Sequence, residues 1–196
     1  MDSLLSNVSG RIYIVIGLFI LIWGLRLIDG LLLRNRLNQR FAIQPRTSFR
    51  LLPIVIAPFL HKDFKHIMSN TIPLLVLAYL VMVPNTIAFW VVTPIVMVTS
   101  GLGIWFFGKS GTAHIGASSL ILGYFGFVLG NGILPPRDFV SILIAIGVLV
   151  LGVFFYGAFG MIKQIAPGKE GISTTGHLFG FLGGFLAAWL VSLLAG

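Results

Sequence analysis

The sequence has no cysteine and only five acidic residues among 196: Asp2, Asp29, Asp63, Asp138 and Glu170. The first absence excludes disulfides, thiol catalysis and cysteine-ligated metal, and it says nothing about redox compartment. The second leaves very few carboxylates for acid–base or metal chemistry. Histidine is scarce too. His61, His66, His114 and His177 have no glutamate beside them, so there is no H-E-x-x-H signature of a zinc hydrolase. A metal site made of these four histidines is the only metal reading left, and no metal or cofactor is expected. Charge of both signs amounts to 9% of the chain, against 57% apolar residues. No water-soluble domain has that balance.

What is present is a series of long apolar runs broken by short polar or Pro/Gly-marked stretches. A membrane span needs roughly 20 mostly apolar residues. The runs predict helices at about residues 11–33, 66–83, 86–107, 116–130, 137–160 and 176–194. The expected fold class is therefore all-α, a polytopic bundle of six transmembrane helices, with residues 1–196 as one membrane domain. The run after Arg11 exceeds a signal-peptide core and lacks a small-residue cleavage site, so it is expected to stay as a helix with no soluble domain appended.

The formal net charge is +8, which in a soluble protein could mean nucleic acid. Here ten of the thirteen Lys and Arg fall in alternate loops, a pattern of membrane-surface charge, with lipid rather than nucleic acid as partner. The loop at residues 34–65 mixes five arginines with Phe41, Ile43, Phe49, Leu51, Leu52, Ile54 and Phe59. It is expected to lie in the interface, the alternative being a plain solvated loop. The fourth run, residues 116–130, is short: 15 residues reach only about 22 Å, less than the roughly 30 Å hydrocarbon core. One end must stop inside the membrane. The loop at residues 108–115 before it is expected to line a water-filled cavity.

Polar groups in such helices are costly and default to functional hypotheses. Arg26 and Asp29, three apart on the first helix, read as a mutually neutralising structural pair. His177 opens a stripe of Gly180, Gly184 and Ala188, and the fourth helix carries Gly126 and Gly130; such stripes let helix backbones approach closely. If those two helices share the seam, Ser118 faces the His177 imidazole as a nucleophile within reach of a base. Each alone could equally be a packing or capping residue. No carboxylate lies in a helix near either one, so a Ser-His dyad is the catalytic reading that remains. His66 and Asn70, at i and i+4 on the second helix, offer N–H donors for an oxyanion, and the Ser118 backbone N–H adds a third. Capping or bridging helices is the plainer role for that pair.

These residues resemble the rhomboid intramembrane proteases: H-x-x-x-N as His66 to Asn70, G-x-S-x as Gly116, Ala117, Ser118 and Ser119, and H-x-x-G-x-x-x-G as His177, Gly180 and Gly184. Order and helix positions match, and His61 in PFLHKDFKH resembles the family's histidine-rich entry to that helix. The resemblance covers the chain as the minimal six-helix form. It implies Ser118 as nucleophile, His177 as base, an oxyanion site of His66, Asn70 and the Ser118 amide, and no cofactor. Substrates would be transmembrane segments of membrane proteins, cut near their membrane entry after local unwinding. Three positions depart from the family pattern: Ser119 stands where glycine is commonest, Leu122 where an aromatic often packs on the histidine, and the first long loop has no Trp-Arg pair.

The family's catalytic mouth usually opens away from the cytoplasm, whereas the Lys/Arg bias would place the same loops inside. A plasma (inner) membrane location is expected, with the two signals opposed on orientation. The composition leaves oligomeric state open. A proteolytically inactive client-binding relative and a small transporter are the competing readings; the second lacks an internal repeat and a path of intramembrane charges. Residues 163–175 are expected to act as a lid ahead of His177.

Overall fold

The computed structural model describes residues 2–47, 49–136, 138–156 and 173–195. Among them the chain is helical throughout, with a single β-bridge and no strand. The elements in order are α1 (Asp2–Leu27), continued by a π-helical turn (Ile28–Leu32), α2 (Arg36–Phe41), α3 (Leu51–Ile56), a 3₁₀ turn (Ala57–Phe59), α4 (Phe64–Val81), α5 (Ile87–Phe107), α6 (Ser118–Ile133), α7 (Phe139–Tyr156) and α8 (Thr174–Ala195). Four of these helical stretches are long and apolar enough to cross a membrane, and α6 and α7 contribute two shorter apolar ones. The expected lid at residues 163–175 lies, for residues 163–172, outside the described residues.

α6 stands at the centre. It packs on α8 over the most extensive interface of the fold and also touches α4, α5 and α7. Tyr124 and Phe127 of α6 are fully buried, among Leu74, Ala78, Val92, Val96 and Ala188. A phenol there needs a partner. The Tyr124 hydroxyl shares a 2.8 Å hydrogen bond with Thr93, whose own hydroxyl donates back to the Phe89 carbonyl. α1 and α7 instead turn apolar faces outward, through Tyr13, Ile20, Phe139 and Phe154. Apolar side chains facing out of the bundle are what hydrocarbon solvates.

α6 has 16 residues, about 24 Å at the usual rise. It is reached through residues 108–117, whose backbone polar groups are held by the 34–63 segment. Ile43 and His114 exchange two backbone hydrogen bonds, the Gly116 N–H donates to the Ala57 carbonyl at 2.9 Å, and the Arg46 guanidinium donates to the Gly108 carbonyl. These partners make a non-helical approach to a buried helix start tolerable. They also place the 34–63 and 108–117 segments at one end of the bundle; at the opposite end Arg11 donates to the Val83 carbonyl between α4 and α5.

Three details differ from the sequence reading. α1 begins at Asp2 rather than near Arg11, because extending a formed helix over residues without proline costs little. The segment at residues 34–63, read as a loop, contains α2, α3 and the 3₁₀ turn. Arg26 and Asp29 do not pair with each other. Asp29, 1% exposed, accepts the backbone N–H groups of Leu37 and Asn38 and so satisfies the start of α2. Arg26 donates to the Asn35 side chain and the His61 carbonyl, with its guanidinium 5.2 Å from the Phe64 ring centre. Three-residue spacing on a helix permits an ion pair, but these two side chains have better-placed partners in the following loop.

Candidate active site

Asp63 caps α4, its carboxylate accepting the His66 N–H at 2.8 Å. That cap fixes the first turn, so His66 and, one turn later, Asn70 project on one face. Gly116 meets them there. Its φ is +116°, and a Cβ at that position would lie 2.6 Å from His66 Cε1, 2.8 Å from Nε2 and 3.6 Å from Asn70 Nδ2. Only a glycine allows both the backbone conformation and the approach. The two donor side chains are thereby set against the backbone two residues before Ser118. His66 Nδ1 is buried with no hydrogen-bond partner among the described residues. A tautomer with the proton on Nε2 leaves only a lone pair unpaired and points the N–H toward Gly116.

Sequence reasoning missed what His61 does. Its ring is 1% exposed, sits edge-on to His66 with centroids 5.1 Å apart, and places Nε2 3.2 Å from Asn70 Nδ2. Burial first and the neighbouring His66 second lower its pKa to about 4; the Phe59 carbonyl opposes them, and Arg26, which lowers it, and Asp63, which raises it, contribute less. The neutral ring therefore accepts from the Asn70 amide. That bond uses one Asn70 N–H, turns the carboxamide, and leaves the second N–H to project from it. Nδ1 of His61 has no partner of good geometry among the described residues, the Phe59 carbonyl approaching without closing a bond. The His61 carbonyl is held in turn by Asn38 and Arg26. The spacing of His61 and Asn70, nine residues across a helix start, gave no periodic signal.

On the other side α8 meets α6 backbone to backbone. A methyl on Gly180 would strike the Ser119 carbonyl, one on Gly184 the Gly123 carbonyl, and one on Gly126 the Phe181 carbonyl; Gly130 faces Ala188. His177 is buried in the first turn of α8, its N–H donating to the Ser173 carbonyl, and lies between Gly176 and Gly180. Gly176 in turn faces the Ser119 hydroxyl and Ile104 of α5. Ser118, half-buried, is the first residue of α6, whereas Ser119 is buried under α8. The starts of α4, α6 and α8 thus converge at the end of the bundle that carries the 34–63 segment. Leu122 is half-buried on the following turn of α6.

This arrangement offers a hydroxyl at a helix start, N–H donors on one side of it and a buried imidazole on the helix packed across it. Comparison with known proteins identifies the family. The Rhomboid domain family model matches residues 48–194. An uncharacterised protein of Mycobacterium tuberculosis is 34% identical over 155 residues, 76% of this chain and 63% of its own length. One from Mycobacterium leprae is 34% identical over 147 residues, 71% of this chain and 55% of its own. The chain therefore spans less than two thirds of the length of these curated relatives.

Proposed function

Since the chain belongs to the rhomboid family, we propose that this multi-pass membrane protein is a serine endopeptidase that cleaves transmembrane segments of other membrane proteins, with Ser118 and His177 as its dyad. Ser118 Oγ attacks the scissile carbonyl while the imidazole takes its proton. The oxyanion is held by His66, Asn70 and the Ser118 backbone N–H. The leaving amine departs with the proton returned by His177, and water, activated by the same ring, hydrolyses the acyl-enzyme. A substrate helix must first unwind locally, because an intact helix hides its carbonyls; helix breakers near the scissile bond favour cleavage. We place the protein in the plasma (inner) membrane.

The observation that carries this reading is the convergence at the first turn of α6: Gly116 lies against His66 and Asn70, while the first turn of α8 reaches the same turn at Ser119. The test is fluorophosphonate labelling of the detergent-solubilised protein. Labelling is expected to vanish in Ser118→Ala and His177→Ala and to survive in Ser119→Ala. Absence of labelling in a folded, unaltered sample would instead support the inactive client-binding relative.

A further inference from the structure

Beside the candidate active site, between the 40–54 segment and the end of α5, lies an open cleft of about 470 Å³ including its mouth. Its polar rim carries Arg40 and Arg50; the Arg50 guanidinium donates to the Arg40 backbone carbonyl at 3.3 Å, which ties the Arg50 side chain to the backbone of α2, and the Arg40 guanidinium lies 5.7 Å from the Phe41 ring centre. One wall is Phe49 edge-on to Trp105, with centroids 5.3 Å apart, and the floor is the buried Pro53 and Ile54. Asp63 is the only acidic residue of the 34–65 loop, and it lies 3.9 Å from Lys62. Among the described residues neither Arg40 nor Arg50 has a carboxylate partner. Next to the cleft, α3 exposes Leu51, Leu52 and Val55, at 69%, 59% and 53%. Such residues would be unfavourable in water and are at home in hydrocarbon.

We propose that this cleft binds one anionic glycerophospholipid, its phosphate between Arg40 and Arg50 and its acyl chains along the exposed face of α3. Guanidinium forks match phosphate oxygens in a way that a point charge does not. An acidic protein segment would satisfy the arginines as well. It would leave Leu51, Leu52 and Val55 without an apolar partner, which a lipid supplies in the same molecule. The site is independent of the proteolytic reading. It also gives the arginine-rich loops a role in lipid contact that does not require them to face the cytoplasm.

The experiment is native mass spectrometry of the intact chain released from detergent with equal amounts of phosphatidylglycerol and phosphatidylcholine. One phosphatidylglycerol should be retained in preference. Arg40→Gln with Arg50→Gln should weaken it by about tenfold or more, while Arg34→Gln with Arg36→Gln, an equal loss of charge outside the cleft, should change it by less than about twofold. Equal weakening by both pairs, or no preference between the lipids, overturns the proposal in favour of diffuse surface charge. A photoreactive phosphatidylglycerol gives a second readout on the unaltered protein. Crosslinks within residues 40–54 or at Trp105 support the site, and crosslinks confined elsewhere overturn it. Displacement of the lipid by a glutamate-rich soluble peptide at the same concentration would likewise overturn it and assign the cleft to a protein segment.

Discussion

The sharpest consequence of the α6–α8 seam concerns Gly184. A Cβ added there would lie 2.6 Å from the Gly123 carbonyl carbon and 2.8 Å from the Phe127 backbone nitrogen, and would strike the Gly123 oxygen. All three atoms belong to the backbone of α6, so no side-chain rotation relieves the clash. Restoring ordinary contact with that oxygen, about 3.5–4 Å between heavy atoms, requires the helices to separate by roughly 2 Å. Overpacking of a tight interior costs about 1–3 kcal/mol, and a seam of paired helix backbones, with close contacts along its length, belongs at the upper end of that range. We expect Gly184→Ala to destabilise the bundle by about 3 kcal/mol. α8 also carries His177 and α6 carries Ser118, so a shift of that size between them should slow labelling by a fluorophosphonate on the order of 100-fold. One control defines the comparison. A Cβ on Gly24 meets no atom within 4 Å. Gly24→Ala should stay within about 1 kcal/mol of the parent or gain slightly from helix propensity. Unfolding is followed by the loss of helical circular dichroism in a denaturing-detergent titration. A Gly184→Ala protein with the parent's midpoint and labelling rate would refute the description of the seam.

Three other perturbations follow from the site. Gly116→Ala forces a side chain into a left-handed backbone conformation and against the His66 ring; labelling of Ser118 should fall by at least about tenfold while the helical content in circular dichroism is kept. His61, with a pKa of about 4 in the folded chain against 6.5 unfolded, takes up its proton more readily when unfolded. Stability is therefore full above about pH 6.5 and declines as pH falls toward 4, by about 3 kcal/mol over the window. His114, also lowered by burial, adds the same sign, so the His61 share is read as the difference in slope between the parent and His61→Gln, and equal slopes would remove His61 from the account. Asp29→Asn keeps the shape but loses one of the two acceptors that hold the start of α2; a loss of about 1–3 kcal/mol is expected in the same titration, and an unchanged midpoint would count against the cap.

Much of this molecule is legible along the chain, for a physical reason. In a membrane every backbone group must be satisfied inside the protein, and a helix does so within its own segment, so apolar length maps directly onto helices. The ends of α5 and α8 accordingly fall within two residues of the sequence reading. The His177–Gly180–Gly184 stripe was readable because helical periodicity puts those residues on one face whatever they pack against. Arg26 and Asp29 fared differently. Their spacing suggested each other, while their partners, Asn35, Leu37, Asn38 and the His61 carbonyl, depend on how the loop folds back.

The sequence by itself determined a helical membrane bundle, the family motifs and their order, and the surplus of arginine in one set of loops. Tertiary structure alone decided that α6 is the helix lying under the glycine face of α8, that Gly116 turns through a positive φ to touch His66, and that His61 occupies one donor of Asn70. It also decided that Arg40 and Arg50 line one cleft. The division follows from the range of the forces. Periodicity and hydropathy are properties of a segment and survive in a one-dimensional reading, whereas a hydrogen bond or a close backbone approach is a property of two segments, and its partner is chosen only when the bundle closes.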